Sequence, residues 1–267
     1  MMKIKYILPI GLLALSAACA TQHHSKNQNK NEWISLFNGR NLDNWIVKIH
    51  HHDVDVNFAN TFRVKDGVIQ VNYDGYGDFN EQYGHLYYKT PYSDYHVKLE
   101  YRFYGDLQKG APSYTLRNSG LMFHSQDPRT MPKEQDWPIS VEMQFLGGLS
   151  DGNPRPTGNM CSPGTDIVYK GKKLESHCLE STSKTYDGDQ WVKAELIVHG
   201  DSLITHIING DTVLQYSQPT IGGGVANRYD PRIKIDGKKL KQGFIALQSE
   251  GQPVEFKNIY LKDLSKK

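Results

Sequence analysis

Between Asn118 and Gly148 the chain gathers side chains that can bind hydroxyls and move protons. His124 and Glu142 are titratable, and Asn118 and Gln144 carry amides that both donate and accept. This set suits recognition of a polyol and acid–base chemistry on it. A period of two would bring the four together. In Ile139 to Leu146, the apolar Val141, Met143 and Phe145 alternate with Ser140, Glu142 and Gln144. In Ser119 to His124, Leu121 and Phe123 alternate with Met122 and His124, and Asn118 keeps the polar phase. Each run reads as a strand with an apolar and a polar face. Paired side by side, they put Asn118, His124, Glu142 and Gln144 on one surface. An ordinary solvated sheet face has the same pattern, because antiparallel sheets often keep one side wet.

A third alternating run, Tyr95 to Phe103, places Val97, Leu99, Tyr101 and Phe103 on one face and His96, Lys98, Glu100 and Arg102 on the other. Glu100 and Arg102 are either a surface ion pair of little energetic value or part of a groove beside the central strands. His50, His51 and His52 with Asp53 and Asp55 have the composition of a metal cluster. No second ligand group can be set beside them from sequence, so a solvated loop is the expected state. The absence of CxxC and HExxH spacing gives zinc little support. Cys161 and Cys178 permit a disulfide in an oxidising compartment and are equally compatible with two buried thiols.

The compartment is read from the first residues. Lys3 and Lys5 precede an apolar stretch, Ile7 to Ala18, that ends in small residues before Cys19. This is the layout of a secretory signal, too short to be read as a membrane span. Ser16-Ala17-Ala18-Cys19 resembles a bacterial lipoprotein cleavage site, although Leu15 stands one place from the usual position. The Gln-, Asn- and Lys-rich segment from Thr21 to Asn31 reads as a tether. We therefore expect residues 1–18 to be a signal peptide, Cys19 to carry lipid, and the protein to face the periplasm, with the outer membrane as its anchor. Cleavage near Ala18 or Ala20 without lipidation is the alternative. The precursor has 31 basic and 29 acidic residues. Loss of Lys3 and Lys5 leaves a neutral chain, which implies no nucleic-acid partner and no membrane contact beyond the lipid.

Roughly 235 residues remain for the fold. Trp33, Leu36, Phe37, Leu42 and Trp45 anchor its start around the turn Asn38 to Asn41, and Phe62 to Tyr73 forms a hairpin over Asp66-Gly67. Gly84 to Tyr88 follows, and Trp191 to Ile208 is a second hairpin across Gly200-Asp201. Asn209-Gly210 turns into Thr212 to Tyr216, and Gly243 to Ser249 and Val254 to Leu261 close the chain. Gly147 to Ile167 holds too many Gly, Pro and Asn for a regular element and is expected to wall a cleft. Pro219 to Lys241 is a second irregular stretch. No segment has helical periodicity and no repeat is present. Short strands with Gly-rich turns predict an all-β sandwich or jelly roll of two antiparallel sheets over residues 32–264.

Four stretches resemble one family in order. They are EWISLFNGRNLDNW from Glu32, NSGLMFHS from Asn118, SVEMQFLGG from Ser140, and GFIALQSEGQPVEFKNIYLKDL from Gly243. The chain is similar to the 3-keto-disaccharide hydrolase family, formerly a domain of unknown function. The resemblance implies a concanavalin-A-like jelly roll that cleaves glycosides oxidised to a ketone at C3. A C3 ketone acidifies the C2 proton, so a base can form an enolate that expels the C1 substituent. Rehydration then distinguishes a net hydrolase from a lyase. His124 and Glu142 are the expected base and acid, in either order. Asn118, Gln144, Arg102 and Gln248 would hold hydroxyls or polarise the ketone, with His85 and Glu100 as neighbours. No cofactor is required, and a divalent ion at the ketone has no assignable ligands. Many members have Arg where this chain has His124, which exchanges a fixed cation for a titratable group. An ordinary glycosidase would need a carboxylate opposite Glu142, for which Glu100 is the candidate. A non-catalytic carbohydrate-binding module would need neither His124 nor Glu142.

The export reading generates a direct test. Metabolic labelling with a fatty acid is expected to mark the wild-type chain and to miss Cys19→Ala. Equal labelling of both, or of neither, rejects lipidation.

Overall fold

The computed structural model describes Met1, Met2 and residues 32–265. The expected signal from residue 3 onward, Cys19 and the expected tether lie outside the described residues. Two antiparallel sheets make up the fold. The seven-stranded sheet runs in the spatial order Cys178–Leu179, Asn159–Cys161, Val141–Leu146, Asn118–Ser125, Phe244–Ser249, Gly84–Tyr88 and Trp45–Ile49. The ten-stranded sheet is centred on Asp94–Phe103, flanked by Val192–His199 and Val254–Asp263. The expected hairpins form over Asp66-Gly67 and over Gly200-Asp201. The helices of the described residues are three single 3-10 turns in loops. The chain is a concanavalin-A-like jelly-roll sandwich.

Alternation builds the core. Leu121, Phe123, Val141, Met143, Phe145 and Leu247 point from the seven-stranded sheet onto Val97, Leu99, Tyr101, Phe103, Leu196 and Phe256 of the other. Tyr101 and Phe145 stack across the interface with centroids 4.3 Å apart. Burial of each such side chain is worth about 1.5–3 kcal/mol, so the two inner faces dominate cohesion.

The outer face of the seven-stranded sheet is not solvated, contrary to the simplest reading of its alternation. The loop that joins its two central strands folds back over it. Met131 from that loop packs with Ile46, Tyr87, Met122 and Ala246, and all eight residues of Asn118–Ser125 are buried. Half of this face is thus a second small core, and the other half is left for a cleft.

Three sequence expectations are corrected by pairing. Arg102 and Glu100 do lie on the polar face of their strand, but that strand belongs to the ten-stranded sheet, so they sit on the opposite side of the sandwich from Glu142. There Arg102 Nε donates to Glu255 at 2.7 Å, and Glu100 accepts from Asn258 at 2.8 Å. His124 leaves the phase of its strand through a β-bulge, because two residues, Phe123 and His124, stand opposite Ile245 alone. The bulge puts His124 in the left-handed region (φ 46°) and directs its Nε2 to the Gly200 carbonyl at 2.9 Å. The irregular stretch Gly147 to Ile167 also contains a strand, Asn159–Cys161, that extends the sheet beside Val141–Leu146.

Cys178 lies directly opposite Cys161 in the terminal strand pair, with Cα atoms 4.2 Å apart, and the two are joined as a disulfide. Closing a loop of this size restricts the unfolded chain by about 3 kcal/mol. A Cys161→Ser/Cys178→Ser double variant is expected to lose stability of that order in urea unfolding, and reduced wild type should match it. Unchanged stability in both would show that the bridge does not contribute.

Candidate active site

A cleft of about 250 Å³ opens on the uncovered half of the outer face. Adjacent strands supply its floor. Glu142 and Gln144 come from Val141–Leu146, Asn118 from the neighbouring strand, and Gln248 from Phe244–Ser249, with Glu250 just beyond its end. Trp137 and Tyr114 form one side, and His177 and the Cys161–Cys178 bridge form the other.

Glu142 fits only because the residue diagonal to it on the adjacent strand is a glycine. Its carboxyl lies over Gly120, where a Cβ would come within 2.3 Å of Oε1. Among the described residues no side chain or backbone group pairs with the Glu142 carboxyl, and the residue is 7% exposed. Burial penalises the charged form and pushes its pKa up to about 8. Glu250 is pushed well above the ordinary range by burial first and by the nearby Glu142 second. Burial thus holds both carboxyls towards the protonated form.

The cleft also collects buried acceptors without partners. These are Asn118 Oδ1, Gln248 Oε1 and Glu250 Oε2. Each such buried atom costs about 1–3 kcal/mol unless a ligand satisfies it. Hydroxyl donors of a sugar would do so, and the same oxygens are of the type a hard divalent cation takes. Asn118 Nδ2 is already engaged, donating to the Tyr114 carbonyl at 3.3 Å, and Gln144 Oε1 accepts from Asn159 at 3.1 Å. Those bonds orient the two amides from behind.

Of the residues singled out from sequence, Asn118, Glu142, Gln144 and Gln248 meet in this cleft. His85 stands opposite Gln248 one strand further out, beneath Trp137 with ring centroids 5.7 Å apart. It does not line the cleft, and burial, with Lys48 close by, pushes its pKa down to about 3, so it is neutral. His124 lines a different cleft at the far end of its strand, with Arg232 and Lys238 to Lys241. Arg102 and Glu100 are on the other side of the molecule.

Sequence reasoning missed Glu250, Trp137, Tyr114 and His177. Glu250 had a signal, since it follows Gln248 at a spacing of two and so shares its face. Trp137 precedes the Ile139 run directly. Its ring lies against Tyr83 at 4.4 Å, and the Tyr83 hydroxyl is 2.8 Å from that of Tyr114. Tyr114 and His177 come from loops, where no periodicity announces a direction.

A family model described as a 3-keto-alpha-glucoside-1,2-lyase-like domain matches residues 32–262. A comparison with curated protein sequences finds no match. Among solved structures, a candidate glycosyl hydrolase from Parabacteroides distasonis superimposes with a TM-score of 0.52 at 19% identity, covering 87% of this chain and 94% of that one. A second candidate glycosyl hydrolase structure from the same organism gives 0.52 at 19% identity, covering 88% and 100%. A CBM66 carbohydrate-binding module from Bacillus subtilis gives 0.46 at 10% identity, covering 81% and 93%. At these identities the likeness is one of fold.

The raised pKa of Glu142 fixes the sign of a stability effect. Its folded-state value of about 8 exceeds the unfolded value, so its contribution is complete below about pH 4.5 and is lost as pH rises towards 8. Glu142→Gln removes that loss. Its Tm is expected to gain on wild type progressively between pH 5 and 8, with a constant offset below pH 4.5. A pH-independent offset across the whole range would mean that Glu142 is not held protonated.

Proposed function

The chain belongs to the family of 3-keto-alpha-glucoside-1,2-lyase-like domains, and from that premise we propose that it cleaves glycosides already oxidised to a ketone at C3. The observation that carries this reading is the pair of desolvated carboxyls, Glu142 and Glu250, in a cleft with unpartnered acceptors. A carboxylate of raised pKa is a stronger base than an exposed one, and its protonated neighbour is a ready acid. One of the pair takes the C2 proton, and the C2–H electrons move into an enolate on C2, C3 and the ketone oxygen. The enolate then re-forms the ketone, making C1=C2 as the C1–O bond breaks. The other carboxyl delivers a proton to the departing oxygen. Addition of water across the enone gives net hydrolysis, and release of the enone gives a lyase.

Glu250 takes the place that sequence reasoning gave to His124. Asn118 and Gln248 accept from sugar hydroxyls, Gln144 holds the floor, and the faces of Trp137 and Tyr114 offer apolar surface to ring C–H groups. We place the protein in the cell envelope facing the periplasm, where its export signal and Cys19 would hold it. A second reading has one observation in its favour. Glu142 and Glu250 also supply the two carboxyls of an ordinary glycosidase, which Glu100 could not.

Turnover of a 3-keto glucoside beside its unoxidised counterpart separates these readings. Cleavage of only the ketone is expected, and cleavage of the plain glucoside would favour the second reading. Binding of both with no turnover would indicate a carbohydrate-binding module. Glu142→Gln and Glu250→Gln should each lose roughly 100- to 10,000-fold in rate, with His124→Ala close to wild type. A substrate deuterated at C2 should react more slowly or lose its label to solvent. Full retention without an isotope effect would refute the elimination.

A further inference from the structure

The histidine run is solvated at His51, Asp53 and Asp55, as expected, but not at His50. His50 is 3% exposed, and its ring stacks on that of His51 with centroids 3.6 Å apart. Each ring has its Nδ1 committed to an oxygen. His50 Nδ1 is 2.8 Å from the Glu81 carbonyl, and His51 Nδ1 is 3.0 Å from the Glu134 carboxylate. In neutral imidazoles those contacts are Nδ1–H donations, which leave the lone pair on Nε2 in both rings. His50 Nε2 is buried and has no partner. Glu81, brought alongside by a separate loop, supplies the ligand group that sequence could not provide. One donor atom each from His50, His51 and Glu81 lies within 4.8 Å of the others.

We infer that His50, His51 and Glu81 form a binding site for a first-row divalent cation of the zinc class, separate from the carboxyl cleft. Two imidazole nitrogens and a carboxylate are the ligand chemistry zinc accepts, with water completing a tetrahedral shell. Magnesium and calcium prefer all-oxygen sets and do not fit. The second shell follows the pattern of bound metals, in which each ligating histidine gives its other N–H to a carbonyl or carboxylate. Desolvation lowers the pKa of His50, which keeps it in the neutral form a metal requires. Glu134 and Asp136 are acidic groups near His50, and the basic groups around the turn are Arg228, 3.7 Å from Glu134, Lys133 and Lys48. An ion here would tie the His50–His51 turn to the loop carrying Glu81. Two residues on, Tyr83 supports Trp137 in the cleft wall.

The test uses untagged protein with the Cys161–Cys178 bridge intact, freed of metal and titrated with zinc chloride by calorimetry, with thermal unfolding in parallel. Wild type is expected to bind one zinc per chain and to unfold at a higher temperature with it. His51→Ala and Glu81→Gln should abolish the site, and His52→Ala, whose Nε2 is taken by Gln82 at 2.8 Å, should keep it. Glu134→Gln should weaken binding by roughly 10- to 100-fold. His50→Ala is scored only if its circular dichroism is native, and the exposed His51 and Glu81 variants decide the matter otherwise. Absence of stoichiometric zinc binding overturns the inference. So does full-strength binding in His51→Ala and Glu81→Gln, or displacement of zinc by equimolar magnesium.

Discussion

Two carboxyl groups are kept out of water on one face of a β-sheet, and the rest of the structure is arranged to make that tolerable. An isolated carboxylate in such a place is too costly to remain charged, so the groups respond by holding protons. That response needs three supports. The ladder must bring Glu142 and the end of the Gln248 strand to the same face, Gly120 must leave room for the carboxyl, and a loop must shut out solvent from the rest of the surface. Each support is a property of the sheet or of the loop between its two central strands, not of the carboxyls themselves.

The contrast with the opposite side of the molecule is instructive. Arg102 and Glu255 also form a close pair, and Trp191 lies beside the guanidinium. Glu255 is as buried as Glu142, but its charge is compensated, because one carboxylate oxygen accepts from Arg102 and the other from Gln70 Nε2 at 2.9 Å. Both oxygens of that carboxylate therefore have donors, which neither Glu142 nor Glu250 can match. Charge density alone would have chosen that face. Burial with incomplete satisfaction chooses the other.

How far the sequence reached can be told residue by residue. Alternation placed Glu142, Gln144 and Asn118 on one face and put Val141, Met143 and Phe145 inside, because a pleated strand has no freedom over direction. It failed at His124, where one additional residue in the strand inverts the phase, and nothing in NSGLMFHS announces a bulge. It placed Arg102 on the correct side of its own strand and on the wrong side of the molecule, since periodicity is local and sheet membership is not. Glu250 was within reach of the same rule that found Gln248. Tyr114 and His177 were not, because their directions are set by loop conformations that depend on the assembled sheet. The histidine run was visible, but its carboxylate came from thirty residues away by hydrogen-bonded loop contacts.

The short strand Cys178–Leu179 has a consequence beyond the cleft it borders. A seven-stranded sheet has two margins, and a long flat margin exposes backbone donors and acceptors that can recruit a strand from another molecule. Here one margin is only two residues long and covalently fastened to the strand inside it. It can neither peel away to uncover a longer template nor offer enough length to pair stably with a neighbour. The bridge thus guards the sheet against intermolecular zippering, a hazard that would be greatest for many copies crowded on one surface.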